Sequence, residues 1–259
     1  MQDLSCAGQC SLTVALPILS AYGIETCVLP TAILSNHTAF RSWSYLDLTQ
    51  EIPNIFRHWK ENGFRFEAFL LGYLGKSELM GLAEQCFDEF SEEGAQIIID
   101  PVLGDYGKLY SGFDDRYVAA MRKLIRRADI ILPNITEACF LTDTLYREDY
   151  DKEYVNELFV KLSELTDARV IITGVEFDDK IGEAIGNGEY VLHDLIPMKK
   201  HGTGDIFAAV FTAQILSGKS YAESCRIAGS FVADSIVKTA KSHDYGVFFE
   251  TVLSDAHRF

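Results

Sequence analysis

The chain has 259 residues, of which 48% are hydrophobic, so it is long and apolar enough to bury a substantial core. Its 38 acidic and 23 basic residues give a formal net charge of −15, which argues against nucleic acid and anionic membranes as partners. There is no apolar run of about 18 residues and no basic segment followed by an apolar one, so we expect no membrane span, no signal peptide and a cytoplasmic location.

The six cysteines point to neither a metal site nor a disulfide framework. They form no Cys-x-x-Cys pair and lie mostly in apolar surroundings. Cys6 and Cys10 flank Gly8 near the start of the chain, but small packed side chains explain them better than a redox pair. We therefore expect reduced, structural thiols.

Short β-branched runs alternate with longer amphipathic stretches, a pattern typical of βα units that build a mostly parallel sheet. The pattern predicts four strands, over 66–71, 96–100, 129–132 and 169–173. Helices are predicted before and between them, over 46–61, 77–91, 114–127 and 151–165. An antiparallel hairpin over 181–195, which turns at Gly186-Asn187-Gly188, and two helices over 202–217 and 221–238 complete the chain. No repeat or linker divides the chain. We predict one doubly wound α/β domain over residues 1–259.

Polar residues follow these strands where an open α/β sheet places its ligand. Asp100 and Asp105 flank a Pro/Gly turn, and Asn134 and Glu137 lie one helical turn apart, so both pairs could face a metal-phosphate cluster. The alternatives are a β-turn and a helix N-terminus with a capping box. We favour the metal-phosphate interpretation because all of these positions are expected to converge on one further motif.

That motif is Gly202-Thr203-Gly204-Asp205, which precedes an apolar helical run. Two glycines allow backbone N–H groups to approach a ligand, and the following helix directs its free N–H groups and positive dipole end to the same point. A carboxylate in the first helical turn could take a proton from a hydroxyl beside a bound phosphate. The alternative is a turn and helix start, with Thr203 or Asp205 as the capping residue.

Several other catalytic sites are absent from the sequence. There is no P-loop, no dinucleotide-binding Gly-x-Gly-x-x-Gly after a strand, no zinc-binding His-Glu-x-x-His and no Gly-x-Ser-x-Gly elbow. Only His37 and His201 among the histidines lie in a suspected site, so nucleophilic catalysis based on histidine lacks its partners.

In its motifs the chain resembles the ribokinase-like superfamily of small-molecule kinases and, within it, the vitamin B6 (pyridoxal) kinases. The motifs that carry the resemblance are Ser35-Asn36-His37-Thr38, Leu71-Gly72-Tyr73, Asp100-Pro101-Val102-Leu103-Gly104-Asp105, Pro133-Asn134-Ile135-Thr136-Glu137 and Gly202-Thr203-Gly204-Asp205. They span essentially the whole chain. The resemblance implies a three-layer α/β/α ribokinase-like fold with a mostly parallel central sheet and no separate lid domain.

The resemblance also implies ATP-dependent phosphorylation of the 5′-hydroxymethyl group of pyridoxal, pyridoxine or pyridoxamine. In that scheme Asp205 is the base, and the amides of Gly202, Thr203 and Gly204 stabilise the transferring phosphoryl group. The residues that would contact the vitamin are Asp3, Ser5, His37, Thr38, Tyr73 and Asp205. The residues that would contact the nucleotide are Asp105, Asn134, Thr173, His201, Gly202 and Gly204.

Further implications of the resemblance concern cofactors and assembly. Asp100 and Glu137 would position Mg²⁺ and its waters, and a monovalent cation such as K⁺ is a second implied cofactor. The flap over residues 105–111 would shield the phosphates from water during transfer. The implied partners are the two small-molecule substrates and a second copy of the chain in a homodimer.

Two departures from the family pattern leave questions open. Met1-Gln2-Asp3 begins where the family would be finishing its first strand, so we expect that strand to be short or missing and favour a true start upstream of Met1. His201 stands where small residues are frequent, and it could contact nucleotide or cap the hairpin strand. The rival functions are a hydroxymethylpyrimidine kinase of thiamine synthesis, a sugar kinase, and a B6-binding protein that has lost catalysis.

Overall fold

The structure is a computed structural model that describes residues 1–186, 188–198, 200–241, 243 and 245–253. The helices are α1 (Leu12–Ala21), α2 (Ile52–Glu61), α3 (Glu78–Phe90), α4 (Asp115–Leu124), α5 (Ile135–Thr142), α6 (Lys152–Leu165), α7 (Thr203–Leu216), α8 (Tyr221–Lys238) and α9 (Glu250–Leu253). The strands are β1 (Gln2–Ser5), β2 (Pro30–Leu34), β3 (Tyr45–Asp47), β4 (Phe66–Leu71), β5 (Ser91–Ile99), β6 (Gly104–Asp105), β7 (Lys108–Leu109), β8 (Ile130–Ile131), β9 (Arg169–Val170), β10 (Ile172–Phe177), β11 (Lys180–Gly186) and β12 (Glu189–Asp194).

Contacts between residues divide the chain into two compact units. The first unit consists of Met1, Asp47–Val175 and Glu183–Tyr190, and the second of Gln2–Leu46, Glu176–Gly182 and Val191–Phe259. Three strands, β10, β11 and β12, form a sheet in that order. The expectation of a single domain stays a prediction.

The first unit is built on a parallel sheet with the strand order β4-β5-β8-β9. The end of β5 is apolar on both faces, since Ile97–Ile99 is buried throughout. Helices α2 to α6 lie in the same unit. The terminal ammonium of Met1 donates a hydrogen bond of 2.7 Å to the carbonyl of Leu70 in β4. The parallel arrangement brings the carboxyl ends of β5, β8 and β9 to one edge of the sheet.

The second unit pairs β1 with β2 in parallel, with β3 next to β2. Helix α7 is its most buried element, because the run from Ile206 to Ala213 is buried on every side. Apolar residues all round a helix indicate burial among other elements, and α1 and α8 belong to the same unit. The α/β fold with a mostly parallel sheet is thus confirmed.

Most predicted elements occur within a few residues of their expected bounds, and one expectation was wrong. The helix expected over 46–61 begins only at Ile52, and residues 45–47 form β3 instead. The Asp47 side chain accepts a hydrogen bond of 2.9 Å from the backbone N–H of Thr49, which makes a turn before the helix, and Pro53 stands at its first turn.

The hairpin strands are present as β11 and β12, but Asn187 of the predicted turn lies outside the described residues. Helix α1 was not among the predicted elements. It contains Pro17, which normally argues against a helix interior. No helix in the described part of the chain is long and apolar enough to cross a membrane.

Candidate functional site

The start of α7 has the geometry expected of an anion cradle. Gly202 stands just before the helix with φ +87°, a conformation that side chains rarely adopt. A Cβ atom at this position would come within 2.2 Å of the Gln9 carbonyl oxygen. Glycine is therefore required here for two separate reasons. The helix that follows leaves its first N–H groups free to bind an anion.

Asp205 lies in the first turn of α7 and is half-buried. The pKa of its carboxyl is raised to about 7, mainly because it is buried. A hydrogen bond from the backbone of Ser11 acts to lower this pKa, and the neighbouring Asp3 acts to raise it. A carboxyl group with a pKa near neutrality can accept a proton and release it again at physiological pH. This is the property that a general base requires.

The loop of residues 8–11 forms the wall beside Asp205, and sequence reasoning did not find it. Ser11 precedes α1 with φ +52° and ψ −129°, an unusual conformation for a residue with a side chain, and its backbone holds the Asp205 carboxyl. Burial, with Asp205 and Asp3 nearby, raises the pKa of the Cys10 thiol to about 12, so this thiol stays protonated. The available signal was Gly8, a glycine three residues after the end of the first strand.

Asp3 and Ser5 lie side by side on β1, and both are buried. The Ser5 hydroxyl donates a hydrogen bond of 3.0 Å to Asp3 Oδ2. Burial raises the pKa of the Asp3 carboxyl, whereas hydrogen bonds with Ser11 and Ser5 lower it. Asp3 is therefore electrostatically linked to Asp205 in the same unit.

A cavity of about 390 Å³ in the second unit is lined by His37, Phe40, Arg41, Lys200, His201 and His243, together with Ala39 and Gly246. His37 is only 5% exposed, and its ring centroid lies 5.7 Å from that of His201. Burial and then the charge of His201 lower the pKa of His37, against an interaction with the Tyr245 backbone that raises it. Thr38, also predicted to bind substrate, is exposed.

The cavity adjoins the anion cradle. Its lining residue His201 immediately precedes Gly202. A Cβ atom on Gly246, another lining residue, would lie 2.9 Å from the Gln9 carbonyl oxygen, the same atom that excludes a side chain at Gly202. The Gln9 carbonyl therefore lies close both to Gly202 in the anion cradle and to Gly246 in the wall of the cavity.

In the first unit, Asn134 and Glu137 form the capping box at the start of α5. The Glu137 carboxyl accepts hydrogen bonds from the backbone N–H groups of Asn134 (2.8 Å) and Leu103 (3.1 Å). The pKa of Glu137 is raised to about 8, mainly because the carboxyl is buried. The backbone hydrogen bonds act to lower this pKa, and Asp105 acts to raise it. A nearby cation would stabilise the ionised form.

These residues also hold the loop that follows β5. The Asn134 side chain donates a hydrogen bond of 3.0 Å to the Gly104 carbonyl, and the backbone N–H of Gly107 donates one of 3.0 Å to Thr136 Oγ1. Strands β6 and β7 pair antiparallel over the predicted flap. Asp105 is exposed on this hairpin.

The other predicted residues of the first unit lie at the same sheet edge or near it. Thr173 forms a parallel bridge with Asn134. Asp100 follows β5 directly, and its backbone N–H donates a hydrogen bond of 2.9 Å to Leu71. The Tyr73 ring stacks on Phe113 with centroids 5.4 Å apart.

The carboxylates at this edge of the sheet suit a Mg²⁺ ion that is bound partly through water. Asp100, Asp105 and Glu137 offer the hard oxygen atoms that Mg²⁺ prefers, but the described residues contain no group of three or more side chains arranged to hold a metal. Mg²⁺ commonly keeps several waters and takes one or two carboxylates together with substrate phosphates. Because both Glu137 oxygens already accept backbone hydrogen bonds, Glu137 fits a contact through water.

The structure therefore groups the predicted residues in two sets. Asp3, Ser5, His37, Thr38 and His201 lie with the Gly202–Asp205 segment in the second unit. The first unit contains Tyr73, Asp100, Asp105, Asn134, Glu137 and Thr173. Gln9, Ser11, Arg41, Lys200 and His243 are additional site residues that sequence reasoning missed.

Comparison with known proteins gives a consistent answer. The family model for phosphomethylpyrimidine kinase matches residues 19–247. The crystal structure of pyridoxal kinase from Lactobacillus plantarum is similar with a TM-score of 0.91 and 33% identity, over 99% of this chain and 95% of that one. A candidate phosphomethylpyrimidine kinase from Bacteroides thetaiotaomicron, crystallised with pyridoxal, is similar with a TM-score of 0.91 and 37% identity, over 98% of this chain and 93% of that one.

A curated relative is similar over a smaller part of its length. The pyridoxal kinase of Dictyostelium discoideum is 28% identical over 199 residues, which are 75% of this chain and 65% of the relative. The chain thus spans slightly less than two thirds of that protein.

Proposed function

The chain belongs to the phosphomethylpyrimidine kinase family, within the ribokinase-like superfamily, and from this premise we propose that it transfers the γ-phosphoryl group of ATP to the 5′-hydroxymethyl oxygen of a B6 vitamer. The observation that carries the proposal is Asp205, a carboxyl with its pKa raised to about 7 in the first turn of α7, beside a glycine that cannot carry a side chain. A base and an anion cradle thus stand together.

In the proposed reaction the hydroxymethyl oxygen attacks the γ-phosphorus, the bond to the bridging oxygen of ADP breaks, and the hydroxyl proton passes to Asp205. The free N–H groups at the start of α7 stabilise the negative charge on the transferring group. Ser11 orients the carboxyl through its backbone hydrogen bond. Burial, with a smaller contribution from Asp3, keeps the pKa of the carboxyl high enough for proton transfer at neutral pH.

Mg²⁺ would neutralise charge on the nucleotide phosphates when it is bound. Asp100 and Glu137 are the residues that we expect to hold it, with Glu137 acting through water. Asn134, Asp105 and Thr173 remain the proposed nucleotide contacts of the first unit, and K⁺ remains a proposed second cation. A homodimer and a cytoplasmic location are also proposals, which rest on the family resemblance. Light scattering of the purified protein would test the dimer.

The second candidate is phosphorylation of hydroxymethylpyrimidine or its phosphate. The family model that matches this chain carries the pyrimidine kinase description, and this favours keeping the candidate. A third candidate, of a different class, is a protein that binds vitamin B6 without catalysis. The intact Asp205 and the glycine at 202 argue against it.

The test is ATP-to-ADP turnover by the full chain with Mg²⁺ and K⁺ against pyridoxal, pyridoxine, pyridoxamine and hydroxymethylpyrimidine. The proposal expects the highest kcat/KM with a B6 vitamer. A higher value with the pyrimidine would support the second candidate. Binding of vitamin and nucleotide without phosphorylated product would support the third.

A further inference from the structure

Three aromatic rings in the first unit form a stack that the proposed reaction does not by itself require. We call Tyr73, Phe113 and Tyr117 the aromatic stack, and Phe113 contacts both of the others. Its ring centroid lies 3.8 Å from that of Tyr117, with the planes 7° apart, and 5.4 Å from that of Tyr73, with the planes 27° apart. Near-parallel rings at these separations attract each other. Phe113 therefore supports the ring of Tyr73.

The Tyr117 end of the aromatic stack is fixed in the core. Tyr117 is buried in the first turn of α4, where the Asp114 side chain accepts a hydrogen bond of 3.0 Å from its backbone N–H. The pKa of Tyr117 is raised, mainly because the hydroxyl is buried, and the nearby Tyr73 acts to raise it. Backbone hydrogen bonds from Gly75 and Leu74 act to lower this pKa. The start of α4 is thus joined to the segment that follows β4.

Phe113 is linked to the flap by a short, hydrogen-bonded connection. Its backbone N–H donates a hydrogen bond of 3.1 Å to the carbonyl of Tyr110, which directly follows β7. The backbone N–H of Tyr110 in turn donates one of 2.9 Å to the carbonyl of Leu103 and closes the base of the flap. A change in the position of the flap at Tyr110 therefore reaches the Phe113 ring through a single turn of backbone.

The other end of the aromatic stack is open to a ligand. The Tyr73 ring stacks on Phe113 and is only half-buried, as is Phe113 itself, so part of the Tyr73 surface remains accessible. Flat rings of this kind pack against a flat heteroaromatic ligand. The aromatic stack therefore runs from the core, past the end of the flap, to the residue that we expect to contact the vitamin.

We propose that Phe113 is a positioning residue that couples the binding of the two substrates: when nucleotide holds the flap, Phe113 fixes the Tyr73 ring in the orientation that packs against the vitamin. This inference rests on the proposed function, in which Tyr73 contacts the vitamin and the flap covers the nucleotide phosphates. A ring that is already fixed loses less conformational freedom on binding, so the vitamin binds more tightly to the nucleotide-bound protein. Because such coupling is reciprocal, the vitamin tightens nucleotide binding by the same factor.

The experiment is calorimetric titration of the full chain with pyridoxine, which has no aldehyde to react with lysines. It is done without nucleotide and with saturating Mg²⁺ and adenylyl imidodiphosphate, a non-hydrolysable ATP analogue. The ratio of the two dissociation constants is the coupling factor, and titration of the analogue with and without pyridoxine should give the same ratio.

The proteins are the wild type, Phe113→Leu, the conservative Phe113→Tyr and the control Phe159→Leu, which makes the same change at a half-buried position on α6. Leucine keeps an apolar side chain but removes the flat ring, whereas tyrosine retains it. We expect a coupling factor of about five or more in the wild type and about one in Phe113→Leu. Phe113→Tyr and Phe159→Leu should keep the wild-type factor.

The inference is wrong if the analogue leaves the pyridoxine affinity of the wild type unchanged, if Phe113→Leu keeps the wild-type coupling factor, or if Phe113→Tyr loses it. It is also wrong if the wild type does not bind pyridoxine. Thermal melts identify any variant that loses its fold, and Phe113→Met, which also lacks a flat ring, then replaces Phe113→Leu. Coupling that depends on Phe113, without phosphorylation of any vitamer, would contradict the proposed function while supporting this inference. Phosphorylation of pyridoxine with a wild-type coupling factor of about one would do the reverse.

Discussion

Replacing Asp205 with Asn tests the proposed general base. We expect the substitution to change both the rate of the reaction and the stability of the folded protein. Asn keeps the shape of the side chain but cannot accept the hydroxyl proton. Loss of a general base typically costs a factor of about 10²–10⁴ in rate, and we expect kcat to fall by about 10³. In the wild type kcat should rise about tenfold per pH unit below about 7 and level off above it, as the carboxyl ionises.

The same substitution should stabilise the folded protein at high pH. Burial raises the pKa of Asp205 from 3.8 to about 7, so the folded state binds this proton more tightly than the unfolded state does. The free energy of unfolding therefore falls as pH rises from about 4 to about 7 and is constant above that range. A shift of about three units corresponds to about 4 kcal/mol, and the partial exposure of Asp205 reduces the expected effect to about 2 kcal/mol.

The assay is thermal unfolding of the wild type and Asp205→Asn at pH 8 and at pH 4, with kinetics on the same samples. At pH 8 the variant should melt about 4–8 °C higher, and at pH 4 the two proteins should melt together. Asp234→Asn is the matched control, because Asp234 is exposed on α8. It should change neither property.

Two results would refute the reasoning. A near-normal rate in Asp205→Asn would exclude Asp205 as the base. Equal melting temperatures at pH 8 would mean that burial does not destabilise the ionised carboxyl and so does not raise its pKa, even if the rate is lost.

Three further predictions follow from backbone geometry and hydrogen bonding. Gly202→Ala should lose about 2 kcal/mol or more of stability and at least about 100-fold in kcat, because its Cβ would meet the Gln9 carbonyl. Gly204→Ala is the control and should not lower the melting temperature, because nothing lies within 4 Å of a Cβ there; equal melting of the two variants would contradict the argument. At pH 9, where Glu137 is ionised, Glu137→Gln should lower the melting temperature by about 4–8 °C without any metal, because an amide nitrogen would then face a backbone N–H. An unchanged melt would show that the capping box contributes little. Gly107 has φ +71°, and the Cβ of Gly107→Ala would lie 2.5 Å from Tyr146, so we expect the substitution to displace the flap. ADP should then form faster than phosphorylated vitamin, as measured by coupled assay and chromatography, and strict one-to-one stoichiometry would oppose a shielding role. Gly112→Ala is the control, because Gly112 also has a positive φ but no neighbour within 4 Å of a Cβ.

The elements with strong periodicity were predictable from sequence, and those decided by contacts were not. Strand β4 and helix α8 have the predicted bounds, because long apolar and amphipathic patterns need no tertiary information. Residues 45–47 pair with a neighbouring strand instead of starting a helix. Helix α1 forms despite Pro17, because five of its residues are buried in the second unit.

The candidate site divides in the same way. Gly202, Asp205, Asn134 and Glu137 were identified because glycines before a helix and acids in its first turn have specific local chemistry. Gln9 was missed because its role depends on its carbonyl oxygen, which no side-chain pattern reveals.

The sequence by itself determined the α/β architecture, the family and the position of the turn that we propose binds phosphate, since these depend on local patterns and on residue types with distinctive chemistry. Only the tertiary structure decided that the Asp205 carboxyl titrates near neutrality, that Ser11 holds it, and that Arg41, Lys200 and His243 meet around one cavity. Burial and electrostatic coupling arise when segments far apart in the chain pack together, and no local pattern encodes which segments those are.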